Sequence, residues 1–240
     1  MRSGTGRTSP ISGSRRAHLA RLATYTRRVT AELSTTTWPT RELILLESSR
    51  LFAVRGYRGT STHDIAAAVG VRQPSLYKHF ASKQEIAEEL LHRDLTAGIE
   101  ALERLAADGG GPAVELFRYL EWEVRYVRST PFDLRSLYLD EMLELPEFEQ
   151  GRAMNARYSA LLRSIIERGV EAGEFLDLDV SFACRVVDAI VLETIRGAAD
   201  HSADHAVDEP DLAAGFVLRG LLRAPSRLRH VRSAARRLDR

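Results

Sequence analysis

The segment Gln73–His79 (QPSLYKH) consists mainly of side chains that form hydrogen bonds rather than pack. Leu76 and Phe80 are four positions apart, so on a helix both face a core and the polar side chains stay at exposed or first-turn positions. The amide of Gln73 can read adenine in the major groove of DNA, and a proline can contact a thymine methyl group. Phenol, imidazole and ammonium groups can hold phosphates. These residue types and their spacing predict contact with double-stranded DNA.

The residues before this segment have the pattern of a short, capped helix. Ser61 stands three residues before Asp64, so its hydroxyl can accept a hydrogen bond from the free backbone N–H groups at the start of a helix. We predict this helix at Thr62–Val69. Gly70 can adopt the left-handed conformation that ends it, and Pro74 is tolerated in the first turn of the next helix. Two short helices joined by a tight turn with a glycine predict a helix-turn-helix.

Apolar residues recur at helical spacing through most of the chain, and strand signals are nearly absent, which predicts an all-α fold. A helix at Thr40–Arg55 is predicted before the helix-turn-helix, because Gly56 marks its end. Longer helices are predicted after it, at Lys83–Ala107, Gly111–Ser129, Phe132–Leu143, Glu147–Ala172, Val180–Ala199 and Pro210–Arg223.

Charge is distributed unevenly along the chain, although the formal net charge is only +1. Residues 1–40 hold seven arginines and one acidic residue, and residues 219–240 hold eight arginines and one acidic residue. Residues 91–218 hold 25 acidic and 12 basic residues. Basic ends are what a polyanion such as nucleic acid would meet first, although arginine-rich tails can also be merely solvated.

The stretch Phe52–Ile86, FAVRGYRGTSTHDIAAAVGVRQPSLYKHFASKQEI, resembles the DNA-binding region of the tetracycline-repressor (TetR) family. Within it, QPSLYKH is similar to the recognition helix of that family. The resemblance covers about Arg41–Leu91 strongly, and RYSALLRSIIERGVEAGEF at Arg157–Phe175 weakly resembles the family's ligand-domain helices. The resemblance implies a dimeric transcriptional regulator, usually a repressor.

Roles for single residues follow from the resemblance position by position. It implies that Gln73–Ser75 lie near bases and that Tyr77, His79 and Lys83 hold phosphates. It also implies backbone support from Thr60 and Thr62. The predicted DNA contacts are Thr60, Thr62, Gln73, Pro74, Ser75, Tyr77, Lys78, His79 and Lys83.

We expect four parts along the chain. Residues 1–39 are predicted as a basic extension that is disordered or partly helical. An N-terminal three-helix helix-turn-helix DNA-binding domain is predicted at residues 40–90, followed by a larger helical ligand-binding and dimerisation domain at residues 91–224. Residues 225–240 are predicted as a basic C-terminal tail.

The predicted helix Gly111–Ser129 carries apolar residues on two opposite sides, so it must be surrounded by other elements. One side is aromatic and includes Trp122. An aromatic stripe of this kind fits either the wall of a ligand cavity or plain core, and both interpretations stay open here. The candidate ligand-binding residues are Tyr119, Trp122, Tyr126, Phe132, Tyr138, Met142 and Tyr158.

The last two long helices have unusually wide apolar faces. In Val180–Ala199 the charged residues fit within about 140° of the helical circumference, and the final helix is similarly apolar. Such faces predict a four-helix dimer interface built from two helices of each subunit, with a fully internal core as the alternative. The candidate interface residues are Phe182, Val187, Ile190, Leu212 and Phe216.

Several classes of protein are disfavoured. The single cysteine, Cys184, cannot form an internal disulfide, and no apolar run approaches the length of a membrane span. The first forty residues lack the apolar region of a secretory signal, although an arginine-rich, acid-poor start also fits an organelle transit peptide. Asp200, His201, Asp204 and His205 have metal-ligand spacing but read as a loop. Nucleophile and phosphate-loop motifs are missing, so we expect neither an enzyme, nor a cofactor, nor a metal.

We therefore expect a homodimeric repressor of the bacterial cytoplasm and nucleoid, without membrane contact. Its predicted partners are a palindromic double-stranded DNA operator and a small-molecule effector that releases the protein from that operator. Two alternatives are an architectural DNA-binding protein without an effector and, with weaker support, an all-α enzyme.

Overall fold

The computed structural model describes residues 38–138, 141–198 and 209–239. Helices dominate these ranges, and the only extended pairing found in them is an isolated bridge between Phe175 and Leu222. The prediction of an all-α fold is therefore confirmed. None of the helices described is both long enough and apolar enough to cross a membrane. The α-helices are α1 (Thr40–Arg55), α2 (Thr62–Val69), α3 (Gln73–Leu76), α4 (Lys83–Asp108), α5 (Pro112–Ser129), α6 (Arg135–Tyr138), α7 (Glu149–Glu171), α8 (Val180–Ala198), α9 (Glu209–Leu221) and α10 (Leu228–Leu238).

Helices α1, α2 and α3 form the predicted helix-turn-helix module. Ser61 caps α2 in a reciprocal capping box with Asp64, and Gly70 ends the helix in the left-handed conformation with φ 78°. Leu76 and Phe80 are buried at 0% and 1% exposure, as their spacing predicted. The core that they form with α1 orients the polar side of α3 outwards.

Helix α5 is the centre of the larger domain, where it packs against α4, α7, α8, α9 and α10. Its two opposite apolar sides explain this position, because each side needs a separate set of neighbours. Phe117 and Leu120 are buried on one side and Tyr119 on the other.

The helix predicted at Phe132–Leu143 does not form as one unit. The segment instead contains the single turn α6, followed by 3₁₀ turns at Glu141–Glu144 and Pro146–Phe148. The carboxylate of Asp133 accepts a hydrogen bond from the backbone N–H of Arg135, which sets a new helix start just beyond the predicted one.

The C-terminal segment contains a helix that packs into the domain, where a basic tail outside it was predicted. Leu228, Val231 and Ala235 on α10 are buried against the core around α5. At the end of this helix, Asp239 accepts hydrogen bonds from the guanidinium of Arg118, which also binds Asp108. The tail was predicted from the many arginines of this segment, although an apolar residue recurs every three or four positions, as in an amphipathic helix.

One apolar core extends from the helix-turn-helix module into the larger domain. Module residues such as Phe52 and Ile65 belong to the same buried cluster as Leu137 and Phe148, which lie between α5 and α7. The rings of Tyr57 and Phe148 meet edge to face, with centroids 5.1 Å apart. The segment that contains α6 and the 3₁₀ turns therefore contacts the DNA-binding module directly.

Candidate DNA-binding surface and ligand cavity

The outer side of α3 and of the turn after it is polar and accessible. Gln73, Pro74, Lys78 and His79 are exposed, and Tyr77 keeps 47% of its surface. Beyond α3 the backbone continues as a hydrogen-bonded turn, in which the N–H groups of residues 77, 79 and 80 donate to carbonyls three or four positions earlier. The structure therefore brings together on one surface the polar residues that were predicted from Gln73 to His79, with Ser75 partly covered.

Two of these polar residues, Gln73 and Tyr77, contact the hydroxyl of Thr62 across the turn. The side-chain amide of Gln73 donates to the Thr62 hydroxyl at 2.9 Å, and that hydroxyl lies 3.1 Å from the Tyr77 hydroxyl. Thr62 is at the start of α2, so the contact joins the two helices of the motif. The same amide nitrogen also donates to the Tyr77 hydroxyl at 3.5 Å, so these contacts hold the Gln73 side chain in one orientation at the surface while its amide oxygen can still accept a hydrogen bond.

Two of the predicted DNA contacts, Thr60 and Lys83, also have structural roles. Thr60 is buried, and its hydroxyl donates to the carbonyls of Leu51 and Gly56. The ammonium of Lys83 donates to the carbonyls of Tyr57 and Thr60 at 2.7 and 2.8 Å and lies 4.2 Å above the Tyr57 ring. Desolvation lowers the pKa of Lys83. Both side chains thus hold the loop between α1 and α2, and the predicted contacts of Thr60 and Lys83 with DNA stay predictions.

A cavity of about 440 Å³ lies within the larger domain. Helices α4, α5, α7 and α8 enclose it together with α6 and the 3₁₀ turn that follows. Its walls are Asp94, Leu95, Gly98, Trp122, Glu123, Tyr126, Leu137, Tyr138, Leu143, Glu144, Asn155, Tyr158, Ser159, Asp188, Val191, Leu192 and Ile195. This volume suits a small organic molecule.

Four of the seven predicted ligand-binding residues line this cavity: Trp122, Tyr126, Tyr138 and Tyr158. The other three do not. Tyr119 is fully buried behind the wall, where its hydroxyl binds Glu123 and Tyr158, and Phe132 and Met142 pack into the core shared with the DNA-binding module. The aromatic stripe on α5 therefore serves both as cavity wall and as core.

Sequence reasoning missed the acidic side chains of the cavity. Burial raises the pKa of Asp94 to about 6 and that of Glu123 to about 8, and it also raises the pKa of Asp188. Asp94 accepts hydrogen bonds from the hydroxyls of Tyr138 and Tyr126. The position of Glu123 could have been predicted from the sequence, because it lies four residues after Tyr119 and three before Tyr126 and so shares their side of α5.

An ion-pair network joins the DNA-binding module to the helix that borders the cavity. The guanidinium of Arg93 on α4 binds both carboxylate oxygens of Glu42 on α1, at 2.7 and 2.9 Å. Glu89 binds Arg93 and Arg41, which closes the network between the two helices. The next residue after Arg93 is Asp94, which faces the cavity.

Helices α8 and α9 expose large apolar side chains. Phe182, Leu212 and Phe216 retain 57%, 62% and 68% of their surface, which agrees with their predicted place at an interface. Val187 was predicted there as well, but it is fully buried in the core of its own domain. Ile190 is partly covered by that core. The residue type could not separate these cases, because valine is common in both settings.

Comparisons with known proteins agree with this architecture. Residues 44–90 match the family model described as bacterial regulatory proteins, tetR family. The transcriptional repressor KstR2 of Mycobacterium tuberculosis is 32% identical over 168 residues, which are 63% of this chain and 78% of the relative. The transcriptional regulator TcmR of Streptomyces glaucescens is 32% identical over 155 residues, which are 63% of this chain and 67% of the relative.

Solved structures have the same fold over most of the chain. AmtR of Mycobacterium smegmatis superposes with a TM-score of 0.70 and 27% identity, and the match covers 85% of this chain and 96% of AmtR. KstR2 of M. tuberculosis superposes with a TM-score of 0.66 and 22% identity over 79% of this chain and 98% of that one. The chain therefore belongs to the TetR family and is a DNA-binding transcriptional regulator.

Proposed function

We infer that this protein is a homodimeric repressor that leaves its operator when a small molecule occupies the cavity. One observation carries this inference: α4 begins at the DNA-binding module, binds α1 through Arg93, and then supplies Asp94 to the cavity wall. A ligand that contacts this stretch of α4 acts on the helix that orients the module. The exposed apolar residues of α8 and α9 support the dimer.

The mechanism requires two conformations with different spacing between the recognition helices. In the DNA-bound conformation, α3 of each subunit enters a major groove, and two-fold symmetry places the helices about 34–36 Å apart. A ligand that binds better to the other conformation shifts the population towards it by its difference in affinity. The operator would be palindromic, and the protein would act in the bacterial cytoplasm on the nucleoid.

Footprinting on the DNA that flanks its own gene tests this function. We expect protection of a palindromic site and loss of that protection when an effector from a small-molecule library is added. If the protein protects no site more strongly than bulk DNA, the proposal that it is a sequence-specific regulator is contradicted. Protection that persists with every compound bound in the cavity would favour the architectural protein without an effector.

A further inference from the structure

Acidic side chains are prominent in the wall of the cavity. Asp94, Glu123 and Asp188 face it from three different helices, α4, α5 and α8, and Glu144 lies at its edge. No lysine, arginine or histidine is among the described residues that line it. The acidic groups are therefore a property of the whole cavity and do not come from one helix face.

No cationic side chain among the described residues is paired with these three carboxyl groups. Asp94 and Glu123 receive hydrogen bonds from tyrosine hydroxyls, which orient a carboxylate but bring no positive charge. Asp188 has neither a hydrogen bond nor an ion pair in the part of the chain that the structure describes, and burial alone raises its pKa. Elsewhere in the domain, buried acids such as Glu115 are paired with arginine.

Burial of several acids without a cation is unfavourable, because each ionised carboxylate loses its hydration and repels the others. Asp94 and Glu123 are close enough for the charge of one to hinder ionisation of the other. The charges of Asp94, Glu123 and Asp188 each raise the pKa of the Tyr158 hydroxyl. All three carboxyl groups therefore lie near this one residue of the cavity wall. The raised pKa of Glu123 keeps that side chain protonated at neutral pH while the cavity is empty. A positively charged occupant would favour the ionised form of all three acids and would be bound by their charge.

The aromatic wall is suited to the same occupant. The rings of Trp122 and Tyr126 are nearly parallel, with centroids 5.0 Å apart and an angle of 13° between their planes. Aromatic faces attract cations, above all quaternary or tertiary ammonium groups with little hydration. They also provide flat apolar area for a ring system attached to such a group.

We propose that the effector of this regulator is an organic cation, an amine or quaternary ammonium attached to an aromatic or aliphatic body, with its positive charge among Asp94, Glu123 and Asp188. The proposal rests on the proposed function for the effect of this ligand on DNA, but not for its binding. The charge selects cations over neutral and anionic molecules of the same shape, and the aromatic wall binds the apolar body.

Isothermal titration calorimetry of the full chain with three matched probes tests the proposal. The probes share a naphthalene ring and carry a trimethylammonium-methyl group, a neutral dimethylamide or an acetate. We expect the cation to bind at least tenfold more tightly than the neutral probe, and the anion not to bind. Equal affinity for the cation and the neutral probe, preference for the anion, or no binding of any probe would overturn the proposal.

Variants identify the carboxyl groups responsible. Glu123→Gln and Asp188→Asn should each weaken the cation at least tenfold and leave the neutral probe unchanged. Glu100→Gln, an exposed acid on α4, is the matched control and should change neither. If Glu123→Gln and Asp188→Asn bind the cation as tightly as the unmodified chain does, the charge is not recognised and the proposal fails.

Operator binding, measured in the same samples, separates this proposal from the proposed function. Tight cation binding without release of DNA would support the proposed cation site and contradict the proposal that the protein is a ligand-responsive repressor. Release of DNA by a neutral compound, with no binding of the cation, would support the proposal of a ligand-responsive repressor and contradict the proposed cation site.

Discussion

At the scale of residues, Gln73 is the side chain of α3 best placed to read a base. Its amide is held by Thr62 and keeps unused hydrogen-bonding capacity at the surface. We expect Gln73→Ala to weaken binding to the true operator by about 1–3 kcal/mol and to change affinity for unrelated DNA little. Competition binding with operator and scrambled duplexes measures both. An equal loss on both duplexes would assign Gln73 to backbone contact.

Lys78 and Lys83 are the only lysines of the chain, and they offer a matched comparison. Lys83→Ala should lower the free energy of unfolding by about 2 kcal/mol, because two carbonyls of the α1–α2 loop lose a charged hydrogen-bond donor. Lys78→Ala should leave stability unchanged and weaken DNA binding, since Lys78 is exposed. Urea denaturation and DNA titration of both variants check this, and equal stability of the two would refute the structural role of Lys83.

Stability should depend on pH through Glu123. Burial raises its pKa from 4.5 to about 8, so between these values the folded chain keeps a proton that the unfolded chain releases. The free energy of unfolding therefore falls as pH rises through this window, by up to about 1.4 kcal/mol per pH unit for one proton. Glu123→Gln should flatten that dependence in thermal unfolding from pH 5 to 8. An unchanged slope would mean that Glu123 ionises normally in the folded chain.

At the scale of elements, α4 connects the two sites. Arg93→Ala should leave effector binding unchanged but reduce the effect of the effector on operator affinity by about 0.5–2 kcal/mol, because the contact with Glu42 on α1 is lost. Arg104→Ala, an exposed change on the same helix, is the control. The measurement is operator affinity with and without saturating effector. If the effector changes operator affinity in Arg93→Ala as much as in the unmodified chain, the two sites are coupled through another contact.

Elements with local end signals were predictable from the sequence. Helices α1 and α2 have the bounds that were predicted, because Gly56 and the capping box at Ser61 are read from a few neighbouring residues. The segment from Phe132 to Phe148 was not predictable in this way. Its apolar residues are fixed by contacts with distant parts of the chain, such as Tyr57, and not by a helical period.

The candidate sites were predictable in the same uneven manner. The exposed side of α3 follows from one short segment, so nearly all its members were found. The cavity is lined by residues from α4 to α8, and the sequence alone does not show that Asp94, Asp188 and Trp122 line the same cavity. Val187 was misplaced because a wide apolar face includes both residues of the internal core and residues open to a partner.

At the scale of the whole molecule, the exposed apolar residues of α8 and α9 predict the oligomeric state. Phe216→Glu should convert a dimer to monomers in sedimentation velocity and weaken operator binding, since two half-sites would no longer be bound together. Val54→Glu, a change at an exposed apolar residue of α1, should leave the dimer intact. A dimer that persists in Phe216→Glu would place the interface elsewhere.

The apolar core shared by the DNA-binding module and the segment around Phe148 has a consequence for engineering. A hybrid regulator made by joining residues 40–90 of this chain to the sensor domain of another would cut through that core. Tyr57 would lose the ring of Phe148, and the recipient would present unmatched side chains in its place. The transplantable unit is therefore discontinuous in sequence: the module together with the stretch from Leu134 to Phe148 against which it folds.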